Sequence, residues 1–497
     1  MHNYPAFARI DNMTVRELTY LIKKDDKEND DRTITGLFYD STSIIKDSVF
    51  FCFRGTRTNG ELYIQDAIDR GAIAIVCEKD IQLPLGVKCI STQENIRSVY
   101  AKASRAFFQY PDKNLKLIGV SGTDGKSSTS YFIYQLLKSF GKAAGLTSTV
   151  YVDDCSGLKK TPWRLSTPEA FPLHSFLKNA YNNGCEYMVI EATSHALSKE
   201  YDRLEGLHFT SSLLTRITSE HLDFHKTHRA YIDSKLRLFE MTDGKCFILS
   251  DNIVRKEAEE RFESKVKVLD RPEIVSLDTS SLTFIYDGKE YTLPFIHSYM
   301  LENAFTAASL VSSLLSLPLP EVLMRLSDLK RVEGRDESVQ NNIGRNIIID
   351  FAHTPDSVSR LLTDYRALYP DGDFITVLGA AGERDKSKRA GLGREASRYS
   401  SHLILTEEDN RNESFKKIVN DILSGIPAEL RSRVDIQIIE RREDAISKAL
   451  EISSVKDSIF LLGKGHEMSI EGKEKRKYSE REAVRNALSD LCAICSR

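Results

Sequence analysis

The sequence has no long apolar run, no charged-then-apolar leader and no strong excess of either charge. No hydrophobic stretch reaches the roughly 18 residues that a membrane-spanning helix needs, and Met1–Ala6 does not resemble a secretion signal. The 69 Lys and Arg residues nearly balance the 72 Asp and Glu residues, giving a formal net charge of −3. These absences argue against membrane insertion and against nucleic acid as a general partner, and they predict a cytoplasmic protein.

Internal repeats and low-complexity tracts are also missing, so the 497 residues are expected to form globular domains. At about 100–200 residues per domain, the length predicts roughly three of them. The eight cysteines are scattered, which predicts free thiols in a reducing compartment. Cys492 and Cys495 form a lone Cys-x-x-Cys pair, for which a free helical end is favoured over a redox or metal site.

Short apolar strands alternate with helical patterns in three parts of the chain. We expect strands at Ser48–Phe53, Ala72–Cys77, Leu115–Val120, Tyr187–Ile190, Asn346–Ile349, Phe374–Leu378, His402–Leu405 and Ile459–Leu462, with another ending near Leu214. Helices are expected at Tyr63–Arg70, Ser128–Phe140, Asp356–Tyr369 and Ser414–Leu423, and a linker at Gln109–Asn114. The pattern indicates an α/β protein with parallel, doubly wound sheets, whose ligands bind beyond the carboxyl ends of the strands.

The segment Gly122–Ser127 reads Gly-Thr-Asp-Gly-Lys-Ser and lies between a predicted strand and a predicted helix. Such a loop directs backbone N–H groups and a helix N-terminus at phosphate oxygens. Lys126 would neutralise the phosphates and Ser127 would bind Mg²⁺. Ser121 stands where the strict P-loop motif has glycine, but the flanking elements favour phosphate binding over an ordinary turn.

Two further polar segments follow predicted strands. Glu191–His195 places a carboxylate where it would face the loop, which suits Mg²⁺, although such a segment alone is more often a surface loop. In Glu220–His225, His221 and His225 are four residues apart and could share a helical face. Spacing alone does not decide between a functional pair, a zinc pair and two surface histidines.

Taken in order, these segments resemble the motifs of the Mur ligases, and most closely those of the MurE type. The resemblance extends over about residues 36–485. The matching segments are Asp40–Thr42 and Phe50–Gly60 (uridine binding), Gly122–Ser127, Ser166–Pro168, Glu191–His195, Glu220–His225, Asp350–Asp356, Gly382–Lys386 and Gly463–Glu467.

The resemblance implies three domains: residues 1–111 binding the UDP substrate, a central P-loop-like ATP-binding domain at 112–332, and a Rossmann-like amino-acid-binding domain at 333–497. It also implies an ATP-dependent ligase of peptidoglycan precursor synthesis, with ATP, Mg²⁺, UDP-N-acetylmuramoyl-L-alanyl-D-glutamate and a diamino acid as ligands. The substrate carboxylate would be activated as an acyl phosphate and then attacked by the amine.

Residue roles follow from the same resemblance. Catalysis would involve Lys126, His221 and Lys235. ATP would contact Gly122, Thr123, Asp124, Gly125, Lys126, Ser127, Ser128, Asn303, Arg335 and Asp350. Metal binding would use Ser127, Glu191, His221 and Lys235. The UDP substrate would contact Ser41, Ser166, Thr167, Thr193 and Arg203. The incoming amino acid would contact Arg384, Glu408, Asp409, Asn410, Arg411, Gly463 and Glu467.

Lys235 matches the lysine that the family modifies with CO₂ to a carbamate. A cationic side chain would repel Mg²⁺, whereas a carbamate would be an anionic oxygen ligand. Three positions and one segment depart from the family pattern. Asp124, Arg216 and Met300 each stand where asparagine is usual, and Ser250–Asn252 replaces an Asn-x-Asp-Asp pattern.

The third amino acid depends on the loop Glu408–Arg411, which aligns with the Asp-Asn-Pro-Arg of diaminopimelate-adding relatives. Arg411 would suit the distal carboxylate of meso-diaminopimelate. Glu408 and Asp409 would instead suit the distal ammonium of lysine or ornithine, and two acids against one arginine favour the basic diamino acid. The rival functions are another Mur ligase, a folylpolyglutamate synthetase-like ligase and a non-catalytic binding protein with the ligase fold.

Overall fold

The computed structural model describes residues 13–25, 27–55, 58–218 and 222–495. Three sheets with their own helices follow one another along the chain, and most of their strand pairs are parallel. The predicted α/β class with three parts is therefore confirmed. Among the described residues, no helix combines the length and apolar character needed to cross a bilayer.

The N-terminal part contains a four-stranded parallel sheet in the order β1-β2-β3-β4. Its strands are β1 Leu37–Phe38, β2 Ser48–Phe51, β3 Ala72–Cys77 and β4 Lys88–Ser91. Its helices are α1 Val15–Lys23, α2 Ile64–Asp69 and α3 Ile96–Phe107, with 3-10 turns at Ser41–Ser43, Gly60–Tyr63 and Pro111–Asn114. The predicted linker is a packed turn, because Asp112 is buried and accepts hydrogen bonds from Arg105 at 2.8 and 2.9 Å.

The central part has an eight-stranded sheet in the order β12-β11-β10-β5-β9-β6-β7-β8 and a three-stranded antiparallel sheet. The strands are β5 Lys116–Ser121, β6 Ala144–Thr147, β7 Tyr151–Asp153, β8 Lys159–Lys160, β9 Tyr187–Glu191, β10 Ser211–Leu214, β11 Cys246–Leu249, β12 Val266–Leu269, β13 Glu273–Leu277, β14 Leu282–Tyr286 and β15 Lys289–Leu293. The helices are α4 Lys126–Ser139, α5 Ala170–Asn182, α6 Ser194–Leu197, α7 Leu222–His225, α8 His228–Glu240, α9 Arg255–Phe262, α10 Ser298–Leu315 and α11 Leu319–Leu323, followed by a 3-10 turn at Leu326–Asp328.

The C-terminal part has a six-stranded sheet in the order β16-β17-β21-β18-β19-β20, in which only the β16 pairing is antiparallel. The strands are β16 Glu337–Ser338, β17 Asn346–Asp350, β18 Phe374–Leu378, β19 His402–Leu405, β20 Asp435–Ile438 and β21 Ser458–Leu462, with a hairpin of β22 Ser469–Glu471 and β23 Lys475–Lys477. The helices are α12 Pro355–Leu368, α13 Ser387–Tyr399, α14 Phe415–Ser424, α15 Ala428–Arg431, α16 Arg442–Ile452 and α17 Glu480–Cys495.

The expectation that all eight cysteines are free is wrong. Cys155 and Cys185 form a disulfide with their Cα atoms 5.8 Å apart, although all cysteines were expected to be free. The pairing is tertiary: Cys155 follows β7 and Cys185 precedes β9, and the sheet brings these ends together across β6. The side chains of Cys492 and Cys495 lie outside the described part of the structure, so the expectation for that pair stays a prediction.

Candidate active site

A cleft of about 1730 Å³ lies between the three parts of the molecule. Among the predicted site residues, those that line it are Thr123, Asp124, Gly125, Lys126, Ser127, Ser128, Ser166, Thr167, Glu191, Thr193, Arg203, Asn303, Arg335, Asp350, Arg384, Glu408, Asp409, Arg411 and Glu467. Those that do not are Ser41, Gly122, Lys235, Asn410 and Gly463. His221 lies outside the described residues.

The predicted phosphate loop connects β5 to the first turn of α4, as the sequence indicated. Gly125 has a φ of +86°, and a Cβ atom there would lie 2.5 Å from the Asn303 amide oxygen. Only glycine fits this combination of positive φ and close approach. The loop is therefore packed against α10, which places Asn303 beside Gly125.

Ser127, in the first turn of α4, contacts Glu191 at the end of β9, the strand adjacent to β5. The Ser127 hydroxyl donates to the Glu191 carboxylate at 3.0 Å, and the backbone N–H and hydroxyl of Thr149 donate to it at 2.9 and 2.8 Å. Glu191 is buried, so these three bonds fix the carboxylate beside the phosphate loop. Carboxylate and hydroxyl oxygens are ligands that Mg²⁺ prefers.

Two lysines are held by the loop's own backbone. Lys126 Nζ donates to the Thr123 carbonyl at 2.7 Å. Lys235, on α8, is 1% exposed and donates to the Gly122 carbonyl at 2.6 Å from behind the loop. Burial, together with the nearby Lys235 charge, lowers the pKa of His225 to about 4, so this histidine is neutral at pH 7.

Three of the predicted UDP-substrate residues lie close together near the end of β9: Thr167, Thr193 and Arg203. The Thr167 hydroxyl donates to the Glu191 carbonyl at 2.8 Å and accepts the Thr193 N–H at 2.9 Å. Arg203 is buried and donates to Glu169 at 2.9 Å. Ser41 is buried in the N-terminal part, away from the lining of the cleft.

From the C-terminal part, Asp350 lines the cleft at the end of β17. Its carboxylate accepts the N–H groups of Asp336 and Ala352 at 2.5 and 2.6 Å. Burial raises the pKa of Asp350, although the positive charge of Arg335 opposes the shift. The Arg335 guanidinium stacks over the Phe351 ring with its carbon 4.1 Å from the ring centre, and Arg335 lines the same cleft as the phosphate loop.

The loop after β19 and the loop after β21 together form a charged pocket. Lys464 is 0% exposed, donates to Asp409 at 2.8 Å and lies 2.5 Å from Glu467. Burial acts to lower the pKa of Lys464, but the two carboxylates outweigh it and raise the pKa. Arg411 donates to the Gly382 carbonyl and lies 3.6 Å from Glu471, whereas Arg384 is exposed at the rim.

Sequence reasoning missed several residues that the fold brings to this cleft. Thr149, which fixes Glu191, follows β6 and carries no motif. Lys464 lies inside the recognised Gly463–Glu467 segment, and its position between two acids could have been suspected from that motif. The ion pair of Arg216 with Asp356, at 2.9 Å, joins positions 140 residues apart and leaves no sequence signal.

Comparison with family models covers most of the chain in three segments. Residues 33–116 match the model described as Mur ligase family, catalytic domain; residues 120–311 match the Mur ligase middle domain; and residues 334–465 match the Mur ligase, glutamate ligase domain. The three models follow the order of the three sheets. They define a class, that of the ATP-dependent acid–amino-acid ligases.

Two curated relatives indicate which type of ligase within this class the chain resembles. The UDP-N-acetylmuramyl-tripeptide synthetase of Borreliella burgdorferi is 36% identical, covering 93% of this chain and 94% of its own. The UDP-N-acetylmuramoyl-L-alanyl-D-glutamate--2,6-diaminopimelate ligase of Clostridium botulinum is 32% identical, covering 97% and 99%. The chain belongs to the Mur ligase family, and its similarity to MurE-type members, expected from the sequence, is confirmed.

Solved structures agree on the fold. A structure of a UDP-N-acetylmuramoyl-L-alanyl-D-glutamate--2,6-diaminopimelate ligase has a TM-score of 0.62 at 22% identity and covers 97% of this chain. A folylpolyglutamate synthase of Mycobacterium tuberculosis has a TM-score of 0.58 at 14% identity and covers 74%. Both similarities are of fold alone, and the curated relatives favour the MurE type over the folylpolyglutamate alternative.

Proposed function

We propose that this ligase joins a basic diamino acid, lysine or ornithine, to UDP-N-acetylmuramoyl-L-alanyl-D-glutamate in the cytoplasm. The predicted division at residues 111/112 and 332/333 would place the UDP end, ATP and the diamino acid on separate domains around one cleft. The reaction class rests on family membership. The choice of amine rests on the charges of the loop Glu408–Arg411, and above all on Glu408.

Glu408 is a nearly buried carboxylate that lines the cleft and is 8% exposed. Its Oε2 atom packs against Gly463, where a Cβ atom would lie 2.8 Å away. Within the described ranges, no hydrogen bond or ion pair engages this carboxylate. The charges of Lys464 and Arg442 act on Glu408 without a direct contact, and an incoming ammonium group would add the direct partner that favours a buried anion.

Arg411, in contrast, already has hydrogen-bond and ion-pair partners within the protein. Its side chain donates to the Gly382 carbonyl and lies 3.9 Å from Asp409 and 3.6 Å from Glu471. Its backbone N–H also donates to the Glu471 carbonyl at 2.7 Å. Binding the distal carboxylate of diaminopimelate would require the guanidinium to leave these acceptors, which favours a substrate without that carboxylate.

The second candidate amine is meso-diaminopimelate. Arg411 keeps the guanidinium that would recognise a second carboxylate in a bidentate manner, and the Clostridium botulinum relative is named as a diaminopimelate ligase. The two arrangements exclude each other, because Arg411 cannot pair with both the loop acids and the substrate.

The test compares kcat/KM for lysine, ornithine and meso-diaminopimelate in the wild type and in Arg411→Ala. We expect a preference for a basic diamino acid that survives in Arg411→Ala. A preference of about tenfold or more for diaminopimelate, or about 1.4 kcal/mol, that disappears in Arg411→Ala would overturn the choice of amine while leaving the ligase assignment intact.

The residues around Glu191 fit a magnesium ion. Ser127 and Glu191 supply oxygen atoms 3.0 Å apart at the phosphate loop, and Glu191 is held in place by Thr149. His221, the third predicted ligand, lies outside the described residues. Bound Mg²⁺ would supply positive charge against the phosphate oxygens of ATP.

Lys235 fits carboxylation by CO₂ to a carbamate. It is buried behind the loop, and a carbamate would keep one N–H with which to donate to the Gly122 carbonyl. The change from cation to anion would turn a group that repels Mg²⁺ into an oxygen ligand. Lys235 would then complete the set of Ser127, Glu191 and His221.

Lys235→Ala tests this assignment. We expect turnover to be abolished, and partly restored by high bicarbonate with a short-chain carboxylic acid. With ¹³C-bicarbonate, the wild type should show a carbamate carbon resonance that the variant lacks. Full activity in Lys235→Ala would contradict the assignment of Lys235 as a carboxylated metal ligand.

The chemistry at the loop follows from charge. A substrate carboxylate oxygen forms a bond to the γ-phosphorus of ATP as the bond to the β-γ bridging oxygen breaks and ADP leaves. Lys126 stabilises the negative charge that spreads over the transferring group. A neutral amine then attacks the acyl phosphate, the C–N bond forms, and inorganic phosphate and a proton leave. Closing the cleft would keep water from the acyl phosphate.

A further inference from the structure

Helix α12 presents three charged residues, Asp356, Arg360 and Asp364, at intervals of four. Residues four apart in a helix lie on one face. All three meet central-domain groups of opposite or complementary charge: Arg216, Glu302 and His297, respectively. The alternation of acid, base and acid along the helix therefore matches base, acid and base on the central domain, and we call these three pairs the charged seam.

The distances within the seam are short. Arg216 Nε donates to Asp356 at 2.9 Å, Arg360 donates to Glu302 at 2.5 Å, and His297 Nδ1 lies 3.2 Å from the Asp364 carboxylate.

Additional ions connect the central-domain side of the seam. Asp251 lies 3.9 Å from Arg216 and is also paired with Arg271, which is 3.0 Å from Glu302. The charges from Arg216 to Glu302 thus alternate without a gap, so the partners of α12 form one continuous network.

Burial increases along the seam. At the cleft end, the side chains of Arg216 and Asp356 are 33% and 31% exposed. In the middle, Glu302 is 5% exposed, and at the far end His297 is fully buried. Ion pairs weaken with exposure and with salt. The pair beside the phosphate loop is therefore the easiest to break, and the His297 end is the hardest.

The buried end is anchored twice more. His297 Nε2 lies 2.9 Å from Asp336, which belongs to the connection between the two domains. Tyr365, also on α12, donates to the same Asp336 at 2.7 Å. The helix is thus fixed to the central domain where the chain crosses between domains.

The two ends differ in what they adjoin. Arg216 accepts the Thr123 N–H through its carbonyl at 2.7 Å and lines the cleft, so its backbone is part of the phosphate-loop wall. Glu302 directly precedes Asn303, which packs on Gly125. A movement of α12 about its His297 end would open the Arg216 end, beside the loop. It would also carry the C-terminal domain away from the other two.

We propose that Arg216, Glu302 and His297 are positioning residues, which hold α12 so that the C-terminal domain closes over the phosphate loop. The Arg216–Asp356 end acts as the latch and the His297 end as the pivot. This inference goes beyond the proposed function, because the orientation of the domains can be measured without turnover and does not depend on which diamino acid is used.

The experiment is a double-mutant cycle of Arg216→Gln and Asp356→Asn in the full chain. Small-angle X-ray scattering gives the radius of gyration without substrates, and steady-state kinetics use whichever diamino acid supports turnover. The matched control is Arg255→Gln with Glu259→Gln, an ion pair of similar exposure on α9 of the central domain.

We expect each single variant to increase the radius of gyration and to lower kcat by about tenfold, with the KM of the UDP substrate changed by less than about twofold. The double variant should be no worse than either single one. Raising KCl to about 0.5 M should open the wild type and leave the variants unchanged. The control pair should behave as the wild type does.

Three outcomes would overturn the proposal: losses that multiply in the double variant, an unchanged radius of gyration in both singles, or a loss in Arg216→Gln without one in Asp356→Asn. The last would mean that Arg216 acts on the nucleotide directly, because an acid cannot stabilise phosphate. Arg360→Gln, in the middle of the seam, provides a second check and should also open the molecule.

Discussion

On the central-domain wall of the cleft, a lysine is held by a backbone carbonyl, whereas on the C-terminal wall a lysine is held by carboxylates. Lys126 donates to the Thr123 carbonyl oxygen of the phosphate loop, but Lys464 lies between Asp409 and Glu467. A carbonyl satisfies a donor without cancelling its charge, whereas a carboxylate cancels it. Under the proposed function, the first wall would attract phosphate, and the second would keep an excess of negative charge for an amine.

The largest effect is expected at Lys126. Lys126→Gln should lower kcat on the order of 10³-fold, because the variant loses a cation that stabilises the transferring phosphoryl group. Calorimetric binding of the UDP substrate should remain, because its uridine end is predicted to bind another domain. Lys267→Gln, an exposed lysine on β12, is the control and should have no effect. Normal turnover in Lys126→Gln would remove the distinction between the two walls.

The second largest effect is expected on the pH dependence of stability, at His297, where the two walls join. Burial acts to lower the pKa of the His297 imidazole. The charges and hydrogen bonds of Asp336 and Asp364 outweigh burial and raise this pKa to about 9. The other groups that face this cluster are Tyr299, Arg331 and Tyr365. Because the folded pKa lies above the unfolded value of about 6.5, the stabilisation is complete below pH 6.5 and is lost as the pH rises toward 9.

This stabilisation is at most about 3 kcal/mol. The measurement is the midpoint of urea unfolding between pH 6 and pH 9.5. It should fall with rising pH in the wild type and in His208→Gln, an exposed control. In His297→Gln it should be lower at pH 6 and nearly flat. A parallel decline in His297→Gln would assign the pH dependence to other groups.

The third effect sharpens the description of the C-terminal wall. Glu408→Gln keeps the shape of the side chain and removes its charge. It should lower kcat/KM for lysine or ornithine by about 30-fold, or about 2 kcal/mol, the range of a hydrogen bond to a charged group. Glu429→Gln, exposed on α15, is the control. If Glu408→Gln left kcat/KM unchanged, the amine would be recognised elsewhere.

The smallest effect concerns the ion pair of Arg164 with Glu471, which joins the two walls directly. The Arg164 side chain is 63% exposed, and exposed ion pairs contribute little. Arg164→Gln should therefore change kcat and each KM by less than about threefold, and the change should disappear at high salt. A loss of kcat comparable to that of Arg216→Gln would show that solvent exposure does not determine how much each contact between the walls contributes.

Much of the fold was predictable because local patterns and the final pairing agree. Phe374–Leu378 and His402–Leu405 were predicted with their observed ends, since each is an apolar run between polar segments. Helix α4 begins at Lys126, two residues earlier than predicted, because Gly125 adopts the left-handed conformation directly before it.

The features that sequence reasoning missed depend on distant partners. The hairpin of β7 and β8 carries no alternating pattern, and the Cys155–Cys185 disulfide requires the order of the central sheet. The site motifs were recognised because each lies within one strand-end segment. The charged seam was not, because its pairs are between 58 and 140 residues apart.

The edge of the central sheet has a consequence for solubility. Its last strand, β8, has two residues, Lys159 and Lys160, both exposed. An open edge of a parallel sheet is a template onto which another chain can add a strand, and short edges that carry lysine prevent this. The antiparallel turn from β6 through β7 to β8 thus ends the sheet with two lysines in place of an apolar strand, and one of them, Lys160, pairs with Glu333. We expect this end of the sheet to resist pairing with a strand of another chain.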